Sequence, residues 1–157
     1  MSESAIRQKI FEIVADQQGL TEVSCSSQAM GMVHLYERWA ADWNVFLGYF
    51  RDPETGRIFG SEIRRAARRG QKLSAMEEQI THTFIIKSYL AVQDADQTEL
   101  LFNQKLEELA ARFRHNQTLN GSCDDASALS VETIDERMFG GVLCHYAESS
   151  ISATEYL

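Results

Sequence analysis

The chain has 157 residues, of which 44% are hydrophobic and 24% charged, with a formal net charge of −8. That length suits one domain able to bury a core without staples, and the composition excludes wholesale disorder. The acidic balance excludes wrapping of nucleic acid by the whole surface, while leaving room for a local basic contact.

Cys25, Cys123 and Cys144 are odd in number and form no Cys-x-x-Cys. A disulfide framework is therefore not expected, and a reducing compartment is the simpler reading. The opening Met1-Ser2-Glu3-Ser4 is polar and acidic, unlike a signal peptide. No run approaches the roughly 20 apolar residues of a membrane span.

In chain order, Ile6, Ile10, Ile13 and Val14 recur at helical spacing, with Ser2 or Ser4 as the cap and Gly19 as the stop. Residues 21–28 are small and polar and read as a loop. Met32 to Tyr36 reads as a short strand. Trp39, Trp43, Phe46, Leu47 and Phe50 fall on one face of a helix spanning Arg38 to Phe50. Asp52 to Gly56, which holds the only proline, breaks it.

Ile58-Phe59 and Ile63 predict a strand to about Ala66, followed by an exposed loop through Ala75. Glu78 to Leu90 predicts a long central strand. Thr81, Thr83 and Ile85 share one of its faces, and His82, Phe84 and Ile86 the other. The two segments make an antiparallel hairpin with an arginine-rich tip. After Asp94 or Asp96, each followed by a capping-box partner at Gln97 or Glu99, an amphipathic helix runs to Phe113. Leu101/Phe102, Leu106, Leu109 and Phe113 form its apolar stripe, and Arg112 and Arg114 sit near its C-terminal end on the wet side. Residues 120–127 form a loop. Ala128 to Phe139 and Val142 to Thr154 form a second hairpin, with Gly140-Gly141 supplying positive φ at the turn. Paired strands separated by helices predict an α+β fold, mainly antiparallel sheet with helices packed on it, in a single domain over 1–157.

Groups capable of chemistry are scattered. Cys144 and His145 are neighbours, but adjacent strand side chains point to opposite faces, so they do not make a dyad. His34, His82, His115 and His145 show no metal-ligand spacing. The acidic pairs fall in turns or on wet faces. No catalytic residue, cofactor or metal is expected.

The basic tract stands out. Arg57, Arg64, Arg65, Arg68, Arg69 and Lys72 occur with Glu62 as the only acid, so residues 57–72 carry +5 and the remainder −13. Charge this segregated marks either a contact surface or an edge guarded against pairing. Arg64, Arg65, Arg68 and Arg69 are the candidate contact residues. Trp39 and Trp43 join them as candidates for an oligomer interface, where aromatics and arginine are enriched.

Five segments in order carry a resemblance. They are Val33-His34-Leu35-Tyr36-Glu37-Arg38-Trp39, then Phe46-Leu47 with Phe50-Arg51-Asp52, then His82-Thr83-Phe84-Ile85-Ile86, and finally the run Arg137-Met138-Phe139-Gly140-Gly141-Val142-Leu143-Cys144-His145-Tyr146-Ala147-Glu148. Together they resemble tail terminator, or tail completion, proteins of long-tailed bacteriophages and prophages, of the lambda-terminator type. The resemblance implies an α+β protomer in a homohexameric ring. Such a ring caps the tail tube, stops its growth and faces the head–tail connector, while DNA passes through the lumen without specific binding. It also implies residence in the virion tail or neck after assembly in the host cytoplasm. A neighbouring head–tail neck protein is the nearest alternative. A DNA-binding module using Arg57 to Lys72 is a further one, and a small hydrolase built on Cys144 or a serine the remotest.

Overall fold

Strand β4 (Glu78–Ala91) is the axis of the molecule. The computed structural model, which describes residues 2–157, pairs it antiparallel on both sides. On one side lies β3 (Phe59–Lys72), from Phe59↔Leu90 to Lys72↔Glu78. On the other lies β7 (Val142–Tyr156), from Ala91↔Cys144 to Gln79↔Tyr156. The sheet continues outward from β3 through β2 (Gly31–His34) to β1 (Ser24–Ser27). Beyond β7, its outer edge is shared by the two-residue β5 (Asp125–Ala126) and by β6 (Ser130–Phe139). Among the described residues, only β2 and β3 run parallel.

Strand alternation sorts the side chains into two layers. On one face, Ile63, Phe84, Ile86, Ile151 and Ala153 meet Ile6, Ile10 and Val14 of α1 (Glu3–Ala15) and Leu109 and Phe113 of α3 (Thr98–Phe113). Leu90 and Ala147 extend that layer onto Phe102 and Leu106. On the other face, Tyr89, Cys144 and Tyr146 pack with Leu47 of α2 (Trp43–Gly48) and with Phe50. This second face also carries cross-strand hydroxyl pairs, Thr81 with Thr154 and Thr83 with Ser152, and then Ile85 opposite Ser150 and Lys87 opposite Glu148.

The α+β class and the faces of β4 and β7 agree with expectation. Several boundaries do not. The Arg38–Phe50 segment is helical only over Trp43–Gly48, because the Asp42 carboxylate accepts the Asn44 amide and caps the helix there. Trp39 lies outside it. Strand β3 does not stop near Ala66 but runs to Lys72, held by pairing with β4, with a bulge between Arg65 and Ala67. The arginines therefore line a strand instead of crowning a loop. Residues 24–27, read as loop, form β1 against β2.

Helix ends differ too. Ser2 does cap α1, accepting from the Ala5 amide, but the helix closes at Asp16 in the left-handed conformation, before Gly19. No capping box opens α3: Gln97 precedes it at φ 56°, after a single 3-10 turn at Asp94–Asp96. Arg112 does not serve its own helix end. Its guanidinium donates to the Ile13 and Val14 carbonyls, satisfying the C-terminus of α1.

The turn at Gly140-Gly141 behaves as expected, with φ of 57° and 89°. The two glycines differ in their surroundings. A Cβ at Gly140 would strike the Trp43 side chain, whereas one at Gly141 meets open space. Gly141→Ala should cost only the left-handed penalty, about 1–2 kcal/mol. Gly140→Ala should cost about 1–3 kcal/mol more through overpacking. Urea denaturation midpoints of the two variants measure the difference.

Candidate functional site

Two surfaces meet along β3. The first is a groove of about 380 Å³ on the α2 side of the sheet. Its floor comes from three adjacent strands, with Glu62 of β3 opposite Lys87 of β4 and Tyr89 one pleat further on beside Tyr146 of β7. Trp39, Trp43, Phe46 and Phe139 form its walls. Trp43 stands edge-on to Phe46 and Phe139, at 5.5 and 5.7 Å between ring centroids. Trp39 is 77% exposed and Trp43 51% exposed, so both present large apolar area to solvent.

The charges under these aromatics are tightly held. Glu62 is buried, with one carboxylate oxygen accepting from the Arg38 amide at 3.1 Å and the other from the Tyr89 hydroxyl at 3.0 Å. Burial pushes its pKa above the ordinary carboxylate range, and the bonds from Arg38 and Tyr89 pull it partly back. Burial likewise pushes the Tyr89 phenol up, which keeps it a donor. Lys87 pairs with Glu37 at 2.7 Å. The Arg38 guanidinium lies 3.9 Å over the Tyr49 ring, and that of Arg137 lies 4.2 Å over Tyr146. A pocket of this make-up, aromatic at the rim with fixed charges below, is suited to gripping a side chain of another molecule.

The second surface is the free edge of β3. Strand β2 covers this edge only from Gly60 to Glu62, and the Ile63 carbonyl accepts from Arg7. Among the described residues, no strand pairs with the edge from Arg64 to Lys72. Arg64, Arg65, Arg68 and Arg69 are all exposed there. Their β4 partners show that Arg64 and Arg69 share a face with Ile85 and Thr81, while Arg65 and Arg68 share one with Phe84 and His82. The cations thus flank the edge on both sides. Arg57 is not among them, because it is bound to Asp96 and Gln93 at 2.9 and 2.7 Å.

The structure therefore brings Trp39 and Trp43 together and strings the four arginines along the part of β3 that follows the groove residue Glu62. Sequence reading missed Glu62, Lys87, Glu37 and Arg38 as groove residues. The available signal was Glu62 itself, the lone acid of the basic tract, and Lys87, the lone charge inside an apolar strand.

The chemical candidates are otherwise engaged. Cys144 is fully buried, and burial pushes its thiol up to about 11, so it stays protonated at neutral pH. Its side chain joins the Tyr89–Tyr146 layer while His145 stacks on Phe102 on the opposite face. His34 donates from Nε2 to the Tyr49 carbonyl at 2.6 Å and accepts at Nδ1 from Ser24 at 2.7 Å, a neutral tautomer that burial favours. His82 pairs with Glu155 at 2.8 Å, and His145 Nε2 bonds the Thr98 hydroxyl at 2.8 Å. Among the described residues no cluster of three or more histidines, cysteines or carboxylates has metal-site geometry, and no helix is long and apolar enough to cross a membrane.

Tyr89→Phe removes a donor from a buried carboxylate and should destabilise the protein by about 1–3 kcal/mol in chemical denaturation. Glu62 also sets a pH dependence. Because its folded-state pKa is raised, its contribution is fully present below the ordinary carboxylate range and is lost as pH rises through the raised value. Relative to Glu62→Gln, the wild type should therefore lose stability on going from acid to neutral pH. A constant gap between the two across that range would contradict the assignment. No protein-family model matches the chain, and no curated protein matches it either.

Proposed function

We propose that the chain is a structural protein of a long-tailed phage virion, a tail terminator. On this reading copies of it form a ring that caps the tail tube, ends its polymerisation and joins the tail to the head connector. The observation that carries the reading is the character of the surface. It offers an unpaired, arginine-lined strand edge and a tryptophan-walled groove, both of them features that contact other polypeptides. The segments that resemble tail terminators support it from a second side: Arg137 to Glu148 lies in the β6–β7 hairpin, whose Phe139 and Tyr146 build the groove, and Glu37 to Trp39 line the same groove.

The acidic remainder of the chain fits a ring through which DNA slides. Tight phosphate binding requires converging basic contacts, and outside residues 57–72 the balance is −13. The cationic edge itself favours one competing reading, a nucleic-acid contact.

Electron microscopy of the purified protein, alone and mixed with tail tubes lacking their terminator, separates the two. Closed rings that seat on one end of the tube are expected. A protein that stays monomeric, leaves tubes uncapped and binds duplex DNA with steep salt dependence would replace this reading with the nucleic-acid one.

A further inference from the structure

We propose that the protomers join through their sheets, the free edge of β3 in one copy pairing with the free edge of β6 in the next. The proposal rests on the ring reading and specifies the contact that builds the ring.

Three observations lead to it. First, the molecule has two long unpaired edges at opposite ends of its main sheet. Strand β3 is open from Arg64 to Lys72, and β6, from Ser130 to Phe139, pairs only with β7. An open edge of this length is a template for another strand. Each edge has one irregularity, between Arg65 and Ala67 in β3 and between Val131 and Thr133 in β6. Beyond these, Ala67–Lys72 and Thr133–Phe139 are uninterrupted and similar in length, each close to an ordinary strand.

Second, the edges are opposite in charge. From Arg64 to Lys72 there are five cations and no acid. Strand β6 carries Glu132, Asp135 and Glu136 against Arg137 alone. Charged edges repel their own kind, so a twofold β3–β3 pairing is disfavoured and a β3–β6 pairing is selected. Third, β6 also exposes apolar surface, with Ile134 54% and Met138 61% exposed, and Leu143 of β7 beside them at 42%. A neighbouring strand laid along β6 would cover part of it.

Because the two joined surfaces are different, the contact is heterologous. Repeated, it closes into a ring or runs on as a filament. A guarded edge, the simpler role of such arginines, calls for charge on each open strand, but gives no reason for the two edges to be opposite in sign or for the second to be partly apolar.

Charge exchange tests this directly. The variant R68E/R69E makes the uninterrupted stretch Ala67–Lys72 net acidic like β6, and D135K/E136K makes β6 net basic like β3. All four side chains lie at the exposed edges or close to them, and circular dichroism melts would check that each variant folds. Light scattering should show the wild type assembled and each variant alone reduced to protomer mass. Mixing the two should restore assemblies with both variants in equal amounts. In the restored state, backbone amides of Ala67–Lys72 should gain hydrogen-exchange protection over the separate variants. If each variant alone keeps the wild-type assembly, the edge contact is wrong and the ring reading survives through another surface. If the wild type stays at protomer mass and does not seat on tail tubes, the ring reading fails and the edge contact with it.

Discussion

A strand flanked on both sides must keep its side chains in one phase from end to end, because a one-residue slip would turn every buried group outward. Strand β4 lives under that constraint. His82, Phe84, Ile86, Ser88 and Leu90 must all face the helices, and Thr81, Thr83, Ile85, Lys87 and Tyr89 must all face away. The two helical supports follow from it: α1 and α3 pack on the apolar residues of the first set, and α2 on the aromatic end of the second. Even the polar members are matched across the ladder, Ser88 with Ser61 at 2.9 Å and Lys87 opposite Glu62.

The same phase makes the groove possible. Lys87 and Tyr89 are neighbours on one face of β4, so a charge and a phenol end up under the α2 aromatics together with Glu62. A buried carboxylate is tolerated there because two donors reach it. The aromatic walls stay partly uncovered because α2 is only six residues long and Trp39 precedes it on irregular chain.

Much of this was legible before the fold was known. Periodicity located α1, α3 and β4, and alternation separated Cys144 from His145. The failures have a common cause, local signals overridden or overlooked. The arginine tract has no apolar pattern, and it becomes strand only because β4 offers a partner as far as Lys72. Ser24–Ser27 likewise takes its extended form from β2. Spacing alone joins Trp39 to Trp43 in one helix, while the Asp42 cap starts the helix at Trp43, later than Arg38. The groove was the least legible feature, since its floor unites residues from three strands and the chain from Glu37 to Phe46 through register alone.

The ribbon beyond Ile63 has one more consequence. Its β3 side chains from Arg64 to Lys72 contribute nothing to either hydrophobic layer. Substitution there is close to neutral for folding, so the protomer's own core sets no limit on how this segment changes. The charge along this edge could be rewritten in a handful of codons and the same fold still be inherited.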